Sequence, residues 1–235
     1  PGVLAALAKA HQQHGKLPWS SLFKEAIELS EQGFEVSERL HQLIVKKTNP
    51  ALGRYDAAWN YFYPGGQPLQ PGQLRKNPEL ADSFRRIATL GPKAFYKGDI
   101  ARDIVATVHN AKDNPGLLTA ADLLAYEAKE RPPVCAPYHQ YKVCGMGPPT
   151  SGGLTLLQML TLLEPFNLKD YAPLDGEAIH LYTQAARLAY ADRGRYMADS
   201  DFVDVPVGGL LDRTYLAQRT QLINKDQDMG KATAG

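Results

Sequence analysis

A short segment rich in proline and glycine, residues 147–153, is the part of the sequence best suited to contact a ligand. It follows a predicted strand and leads into an apolar helix, so its two prolines fix an extended approach to that helix. Thr150 or Ser151 can cap the helix, and Gly152 and Gly153 leave its first backbone amides accessible. Such a helix N-terminus can bind an anion. The pattern also fits a tight strand-to-helix joint, in which a Cβ at either glycine would displace backbone.

The two cysteines, Cys135 and Cys144, flank a predicted hairpin. If its turn is centred between His139 and Gln140, counting outward along both strands places the cysteines opposite each other. Directly opposed cysteines lie within disulfide reach. Two alternatives stay open, because the pair could also be two small half-buried side chains or could bind a metal. A disulfide would favour an oxidising compartment.

Most sequence motifs of catalytic and cofactor sites are absent. The chain has no G-x-S-x-G, G-x-x-x-x-G-K-[ST] or H-E-x-x-H pattern, and Pro148 breaks any dinucleotide-binding fingerprint that begins at Gly145. His11 and His14 lie three residues apart on a predicted helix, without a cysteine or acid at ligand spacing. We expect both histidines on a solvated face. The sequence therefore predicts no metal site and no cofactor.

Asp192 and Arg193 are adjacent charged residues within a long predicted helix. Neighbouring residues on a helix do not share a face, so each side chain must find a different partner. We expect an ion pair or hydrogen bond that secures the end of the helix beside the acidic loop at 199–204. The alternative is that the pair contacts a substrate.

Charge and hydropathy limit the classes of partner. The 26 Lys and Arg residues nearly balance the 25 Asp and Glu residues, and the net charge is +1. Basic pairs such as Lys46-Lys47 are scattered along the chain, which argues against nucleic-acid binding. The longest apolar stretches are interrupted by Gln158, Thr161 or Arg187, so no membrane span is predicted. A chain of 235 residues, 44% of them hydrophobic, can form one large or two small domains with a core.

Apolar periodicity and capping signals predict a mainly helical chain with one strand region. We expect helices over 1–125, a strand hairpin within 126–147 and helices again over 152–224. Pro1 suits the first position of a helix, and Asn77 before Pro78 predicts another helix start. Residues 48–72 lack periodicity but are rich in aromatic residues, which predicts a long ordered loop. Residues 126–131 alternate as a strand does.

A series of short motifs resembles, in the same order, the large subunit of the gamma-glutamyltranspeptidase family. The motifs are Pro1-Gly2-Val3, Gly15-Lys16-Leu17-Pro18-Trp19, residues 26–34 (AIELSEQGF), residues 91–98 (GPKAFYKG), residues 116–119 (GLLT), Asp122-Leu123, Tyr126, residues 148–153 (PPTSGG), residues 189–193 (AYADR) and residues 201–203 (DFV). They extend from Pro1 to about Ile223. Their number and order carry the resemblance, since no single motif is specific.

The resemblance implies an α+β fold, in which this chain is a predominantly helical fragment of the αββα sandwich of N-terminal-nucleophile hydrolases. Residues 1–235 would be part of the large subunit of a precursor that cuts itself. The cut exposes a threonine as the first residue of the small subunit, which is the partner of the large subunit in a heterodimer. That threonine attacks a γ-glutamyl carbonyl, and water or an acceptor amine resolves the acyl-enzyme.

By the same resemblance, no catalytic residue lies in this chain. An arginine that binds the substrate α-carboxylate would precede residue 1. The processing threonine would follow residue 235, because Thr233 is followed by Ala234 and Gly235 and not by a Thr-His sequence. Within the chain, the proline- and glycine-rich segment is expected nearest the substrate, through the residues Thr150, Ser151, Gly152 and Gly153.

Three functions of different classes remain open. The first is a γ-glutamyl transferase and hydrolase that acts on glutathione-like peptides. The second is a sister enzyme of the same scaffold, such as a cephalosporin or glutaryl acylase or a polyglutamate-handling enzyme. The third is a helical interaction module without catalysis. The resemblance, together with the possible disulfide, implies a periplasmic or extracellular location.

Overall fold

The computed structural model describes residues 2–47 and 49–235 of the chain. Pro1, expected at a helix start, and Thr48, the first residue of the expected long loop, lie outside the described residues. The chain divides into two compact units, Pro1–Lys129 and Glu130–Gly235. Among the described residues, no helix is both long enough and apolar enough to cross a lipid bilayer.

The first unit is built mainly from short helices. Its elements are α1 (Gly2–His14), α2 (Lys24–Gln32), β1 (Phe34–Glu35), α3 (Glu38–Val45), α4 (Asp56–Phe62), β2 (Leu74–Arg75), α5 (Pro78–Leu90), α6 (Lys93–Tyr96), α7 (Asp99–His109) and α8 (Ala120–Leu124), with 3₁₀ turns at Trp19–Phe23, Pro50–Gly53 and Pro64–Gly66. Pro18 precedes the 3₁₀ turn at Trp19–Phe23, and α2 begins after it at Lys24.

Side-chain caps fix the starts of three of these helices. The Ser37 hydroxyl accepts from the Leu40 amide at α3, and Asn77 accepts from the Leu80 amide at α5. Thr119 and the first-turn acid of α8 form a reciprocal capping box. Each cap satisfies an amide that the helix itself leaves unpaired. The helix start predicted at Asn77 is confirmed.

The aromatic loop contains more regular structure than the sequence predicted. Its middle forms α4, and Trp59 stacks on Tyr63 with ring centroids 4.2 Å apart. The Tyr63 hydroxyl is buried and donates to the Ile44 carbonyl at 2.7 Å. Val36, Ile44, Tyr63 and Leu69 form the core of this region. The prediction of ordered structure here is confirmed, and aromatic side chains supply much of the packing. A helix of seven residues is too short to show a period in the sequence and depends on this packing.

Two short strands lie within residues 1–125, where the sequence predicted helices and one long loop. β1 pairs with β2 in antiparallel register, with Phe34 opposite Arg75. Gly33 precedes β1 with a φ of 96° and contacts the second strand closely. Strands of two residues are too short to show alternation, so the sequence pattern could not reveal them.

Some leucines on the helices of the first unit are exposed. Leu80 and Leu90 on α5 are 41% and 69% exposed, and Leu43 on α3 is 43% exposed. On α5 the buried positions are Ala81 and Ile87. Leu80 and Leu90 lie in the first and last turns of the helix, where fewer neighbouring elements cover them.

The second unit packs four helices and a hairpin around one core. Its elements are β3 (Val134–Tyr138), β4 (Tyr141–Gly145), α9 (Gly152–Leu163), α10 (Gly176–Tyr196), α11 (Val207–Leu210) and α12 (Arg213–Thr220), with a 3₁₀ turn at Leu168–Asp170. The core residues are Leu162, Leu163, Leu181, Ala185, Leu188, Leu216 and Ile223. Helix α9 is buried around most of its circumference because it lies between the hairpin, α10 and α12.

The hairpin has the predicted register. Cys135 lies opposite Cys144, and the two sulfur atoms are bonded. The predicted strand over Tyr126–Arg131 is wrong, because residues 126–133 have no regular structure and β3 begins at Val134. Pro132 and Pro133 explain the late start, since neither can donate a hydrogen bond to a neighbouring strand.

Glu164 connects the hairpin turn to the helices that follow. Its carboxylate accepts from the His139 amide at 3.2 Å and pairs with the guanidinium of Arg213. The hydrogen bond from Arg213 holds the pKa of Glu164 below its usual value, against the opposing effect of partial burial. The hairpin turn is thereby connected to the end of α9 and the start of α12.

The hairpin register predicts a stable bond between Cys135 and Cys144 in protein folded under oxidising conditions. Titration of the denatured, unreduced 235-residue chain is expected to find no reactive thiol. The same chain after reduction is the control and should give two, since it has 2 cysteines. Two reactive thiols before reduction would contradict the prediction.

Candidate functional site

The proline- and glycine-rich segment forms a compact turn between β4 and α9. Gly147 and Pro148 are buried, and the peptide bond between Pro148 and Pro149 is cis. The Thr150 amide donates to the Gly147 carbonyl at 3.1 Å, which closes the turn. Thr150 itself is exposed at the outer surface of the turn.

Close backbone contact explains one of the two glycines in this segment. A Cβ on Gly153 would lie 2.8 Å from the carbonyl carbon of Gly145 and from the Met146 nitrogen. A Cβ on Gly145 would in turn lie 2.7 Å from the Cα of Gly153. A Cβ on Gly152 meets no atom within 4 Å. The expected strand-to-helix joint is therefore present at Gly153, whereas the same expectation for Gly152 is wrong, since that residue faces open space.

Ser151 occupies the N-cap position of α9 but does not cap it with its side chain. Its backbone is already helical, with φ −85° and ψ −19°, whereas a capping residue is normally extended. The Ser151 hydroxyl instead accepts from Arg193 Nε at 2.8 Å. The capping expected of Ser151 is therefore wrong, and the hydroxyl connects the start of α9 to α10.

Arg193 brings a positive charge to the first turn of α9. Its side chain is exposed, and its guanidinium carbon lies 5.7 Å from the centre of the Tyr190 ring. The free backbone amides at the N-terminus of α9 and the guanidinium of Arg193 both favour an anionic group near Ser151. Contact between a substrate and Thr150, Ser151, Gly152 or Gly153 stays a prediction.

Asp192 points away from Arg193 into the core of the second unit, where it is 1% exposed. Its carboxylate accepts four hydrogen bonds from described residues: Gln158 Nε2 at 3.0 Å, Tyr215 OH at 2.8 Å, Arg219 Nη2 at 3.2 Å and the Gly235 amide at 3.2 Å. The predicted structural role holds, but the predicted place beside the loop at 199–204 is wrong. The Asp192 carboxylate lies in the interior because its hydrogen-bond donors come from α9, α12 and the last residues of the chain.

Arg219 is the cationic partner of Asp192 and is itself buried, with 7% exposure. Its Nη2 also donates to the Leu188 carbonyl at 3.3 Å and to the Thr233 carbonyl at 2.7 Å. Its Nε is buried and has no acceptor among the described residues. Burial, and then the hydrogen bond to Asp192, raise the pKa of Tyr215 to about 12. The cluster is therefore one paired anion and cation with a neutral phenol.

Sequence reasoning identified Asp192 but missed its partners. Gln158 interrupts an otherwise apolar helix, and a polar side chain at such a position signals a buried hydrogen bond. Tyr215 and Arg219 lie on a short helix with mostly polar residues, and nothing in the local sequence pattern predicts that either side chain binds Asp192. Their role depends on α12 packing beside α10.

The described residues contain no cluster of three or more His, Cys, Asp or Glu side chains that could hold a metal ion. His14 is exposed as predicted. His11 corrects the prediction, because it is half-buried with its ring 5.4 Å from Trp19, edge to face. The His11 Nε2 atom lies 2.8 Å from the Leu17 carbonyl oxygen, so the ring stabilises the turn after α1.

Comparison with known proteins gives consistent matches along the whole chain. The sequence pattern of the gamma-glutamyltranspeptidase family matches residues 1–234. A glutathione hydrolase proenzyme of Bacillus subtilis is 37% identical over 235 residues, which is 100% of this chain and 39% of that protein. The acylase ACY 1 proenzyme of Pseudomonas sp. strain SE83 is 35% identical over 227 residues, covering 97% of this chain and 40% of that protein.

Among solved structures, Helicobacter pylori gamma-glutamyltranspeptidase matches with a TM-score of 0.87 and 35% identity. The match covers 97% of this chain and 64% of that one. The chain thus spans about two fifths of the two curated relatives, 39% and 40%.

The glycine contacts at the joint predict that alanine substitutions at two neighbouring positions affect the stability of the full-length protein differently. Gly153→Ala places a methyl group against the backbone of Gly145 and Met146 and should cost about 1–3 kcal/mol of stability. Gly152→Ala, the matched control, enters open space on the same helix and should be neutral or stabilise by up to about 1 kcal/mol. Thermal and urea unfolding of both variants measures the difference. Equal stabilities would show that the joint tolerates a side chain.

Proposed function

Because this chain belongs to the gamma-glutamyltranspeptidase family, we propose that it is part of a γ-glutamyl transferase and hydrolase that cleaves γ-glutamyl amide bonds of glutathione and related peptides. The observation that carries the proposal is the 37% identity to a glutathione hydrolase proenzyme over all 235 residues. Relatives named as hydrolases and as acylases both support chemistry at an amide carbonyl.

We propose a mechanism that proceeds through an N-terminal threonine outside this chain. The threonine oxygen attacks the γ-glutamyl carbonyl carbon while the free α-amine of the same residue accepts the hydroxyl proton. That proton passes to the leaving amine as the amide bond breaks, which leaves a γ-glutamyl ester on the enzyme. Water then gives glutamate, or an acceptor amine gives a new γ-glutamyl amide. In either case the threonine hydroxyl is restored.

In this proposal the chain supplies structure around the site and contributes no catalytic residue. The helices belong to the outer layers of an αββα sandwich, whose central sheets lie in other parts of the precursor. The turn at residues 147–153 is the part expected nearest the substrate. Two features support this expectation, namely the exposed residue Thr150 and the positive charge of Arg193 beside the start of α9.

We propose that the partner of this chain is the small subunit from the same precursor. Both curated relatives are proenzymes by name, and most of the length of each, all but 39–40%, lies outside the matched region. The first unit presents an apolar groove of about 680 Å³ lined by residues such as Trp19, Phe23 and Phe84. Val3 and Leu7 at this groove are 76% and 58% exposed, as expected for a face that another part of the precursor covers.

The location proposed for the protein is periplasmic or extracellular. The bonded pair Cys135 and Cys144 supports it, because disulfides persist in oxidising compartments. A reducing compartment would keep both thiols free.

A related acylase of the same scaffold is the second candidate. The specific observation in its favour is the 35% identity to acylase ACY 1 over 227 residues, close to the value for the glutathione hydrolase. A γ-glutamyl transferase and a glutaryl acylase differ in the acyl group, since a glutaryl group lacks the α-amine that a γ-glutamyl group carries. Residues that recognise that amine decide between them.

Assay of the full-length protein with a γ-glutamyl anilide tests the proposed function. Release of the aniline is expected, and a dipeptide acceptor should accelerate it because the acceptor resolves the acyl-enzyme faster than water. A glutaryl anilide is the matched substrate without the α-amine and should react much more slowly. Release from the glutaryl compound alone would assign the acylase function, and release from neither would contradict both.

The isolated 235-residue chain should be inactive in the same assay, since the proposed nucleophile is outside it. Turnover that persists through repurification of the isolated chain would contradict the proposed mechanism.

A further inference from the structure

The first unit contains a second cavity of about 680 Å³, which shares His11 and Trp19 with the apolar groove described above. The rest of its wall comes from α1, from α6 and the two residues before it, and from residues 126–128. We call it the α1–α6 cavity. Small-molecule sites in proteins have volumes of about 300–1,000 Å³, so this cavity is large enough to hold a ligand.

Hydrogen bonds connect the separate parts of the cavity wall. The Tyr96 hydroxyl oxygen accepts from the Ala5 amide at 2.9 Å, which joins α6 to the first turns of α1. Lys9 Nζ donates to the Ala128 carbonyl at 3.3 Å, which joins α1 to residues 126–128. Small-molecule sites are usually preformed in this way. The shape of the cavity therefore does not depend on a ligand.

Three aromatic side chains give the cavity flat apolar surfaces. The indole of Trp19 is held in place because its Nε1 donates to the Ile87 carbonyl at 3.1 Å. The rings of Tyr96 and Tyr126 are nearly parallel, with an interplanar angle of 6° and centroids 6.2 Å apart. Aromatic side chains favour contact with another aromatic ring. The wall thus suits a ligand that carries one.

Two opposite charges line the same cavity without pairing with each other. Lys93 and Glu127 are both exposed, and neither side chain has an ion-pair or hydrogen-bond partner in the described part of the chain. A simple anion would satisfy only Lys93, and a simple amine would satisfy only Glu127. A small molecule that carries both an ammonium and a carboxylate group satisfies both side chains at once.

We propose that the α1–α6 cavity binds a small zwitterion with an aromatic side chain, of the class of the aromatic α-amino acids. The ligand carboxylate pairs with the Lys93 ammonium, the ligand ammonium pairs with the Glu127 carboxylate, and the aromatic ring contacts Trp19 and the two tyrosines. This inference goes beyond the proposed function, since binding here requires no reaction.

The test measures dissociation constants of three related compounds for the full-length protein by titration calorimetry. L-Phenylalanine carries both charges, 3-phenylpropionate lacks the ammonium group, and phenethylamine lacks the carboxylate. The variants are Lys93→Gln and Glu127→Gln, each of which removes one charge and keeps most of the side chain. Lys97→Gln is the matched control, because Lys97 is an exposed lysine four residues after Lys93 and does not line the cavity.

Each variant should weaken only the ligands that carry the group it recognises. Lys93→Gln is expected to weaken L-phenylalanine and 3-phenylpropionate by about fivefold, which is the upper end for one exposed ion pair, and to leave phenethylamine unchanged. Glu127→Gln is expected to weaken L-phenylalanine and phenethylamine to a similar extent and to leave 3-phenylpropionate unchanged. Lys97→Gln should change none of the three.

Several results would overturn the inference. They are no binding of L-phenylalanine to the wild-type protein, equal losses in Lys93→Gln and Lys97→Gln, and binding of glycine as tight as that of L-phenylalanine. The Tm of each variant shows whether it is folded, and either Lys93→Gln or Glu127→Gln alone tests one half of the charge pattern. A protein without turnover of the γ-glutamyl anilide would contradict the proposed function, whereas these dissociation constants would still decide the present inference.

Discussion

The buried pair between Asp192 and Arg219 is the interaction on which the second unit depends. An anion and a cation in the interior are tolerated only when both are paired and hydrogen-bonded. Here the hydrogen bonds come from α9, α12 and the final residues, so the carboxylate is satisfied only when all of them are in place. Removal of one member of such a pair typically costs about 3–5 kcal/mol, which makes alternative arrangements of these elements unfavourable.

Signals confined to a few neighbouring residues could be read from the sequence. The caps at Ser37, Asn77 and Thr119 and the register that opposes Cys135 to Cys144 need only local geometry, and the structure has all of them. Features that depend on distant residues could not be predicted. The bond between Ser151 and Arg193 spans 42 positions, and that between Gln158 and Asp192 spans 34. A sequence window of helical length contains no information about which of these partners meet.

Family membership and side-chain contacts explain different properties of this chain. The order of the motifs points to the family, whose sequence pattern matches residues 1–234. The contacts explain why particular motif residues are present. Asp192 and Arg193 are adjacent in one motif, yet one stabilises the interior while the other brings charge to the surface turn before α9. Two adjacent residues of one motif thus have different structural roles.

The mutual contact of Gly145 and Gly153 also limits how this region can evolve. Each backbone occupies the space that the other residue's Cβ would need. A second substitution at the partner position therefore cannot compensate for the first, since any side chain there adds volume to the same crowded point. Substitutions that retain this geometry must therefore occur at other positions, for instance at Gly152, where the surrounding space is open. The joint between the hairpin and α9 therefore requires glycine at both positions, whichever residues surround it.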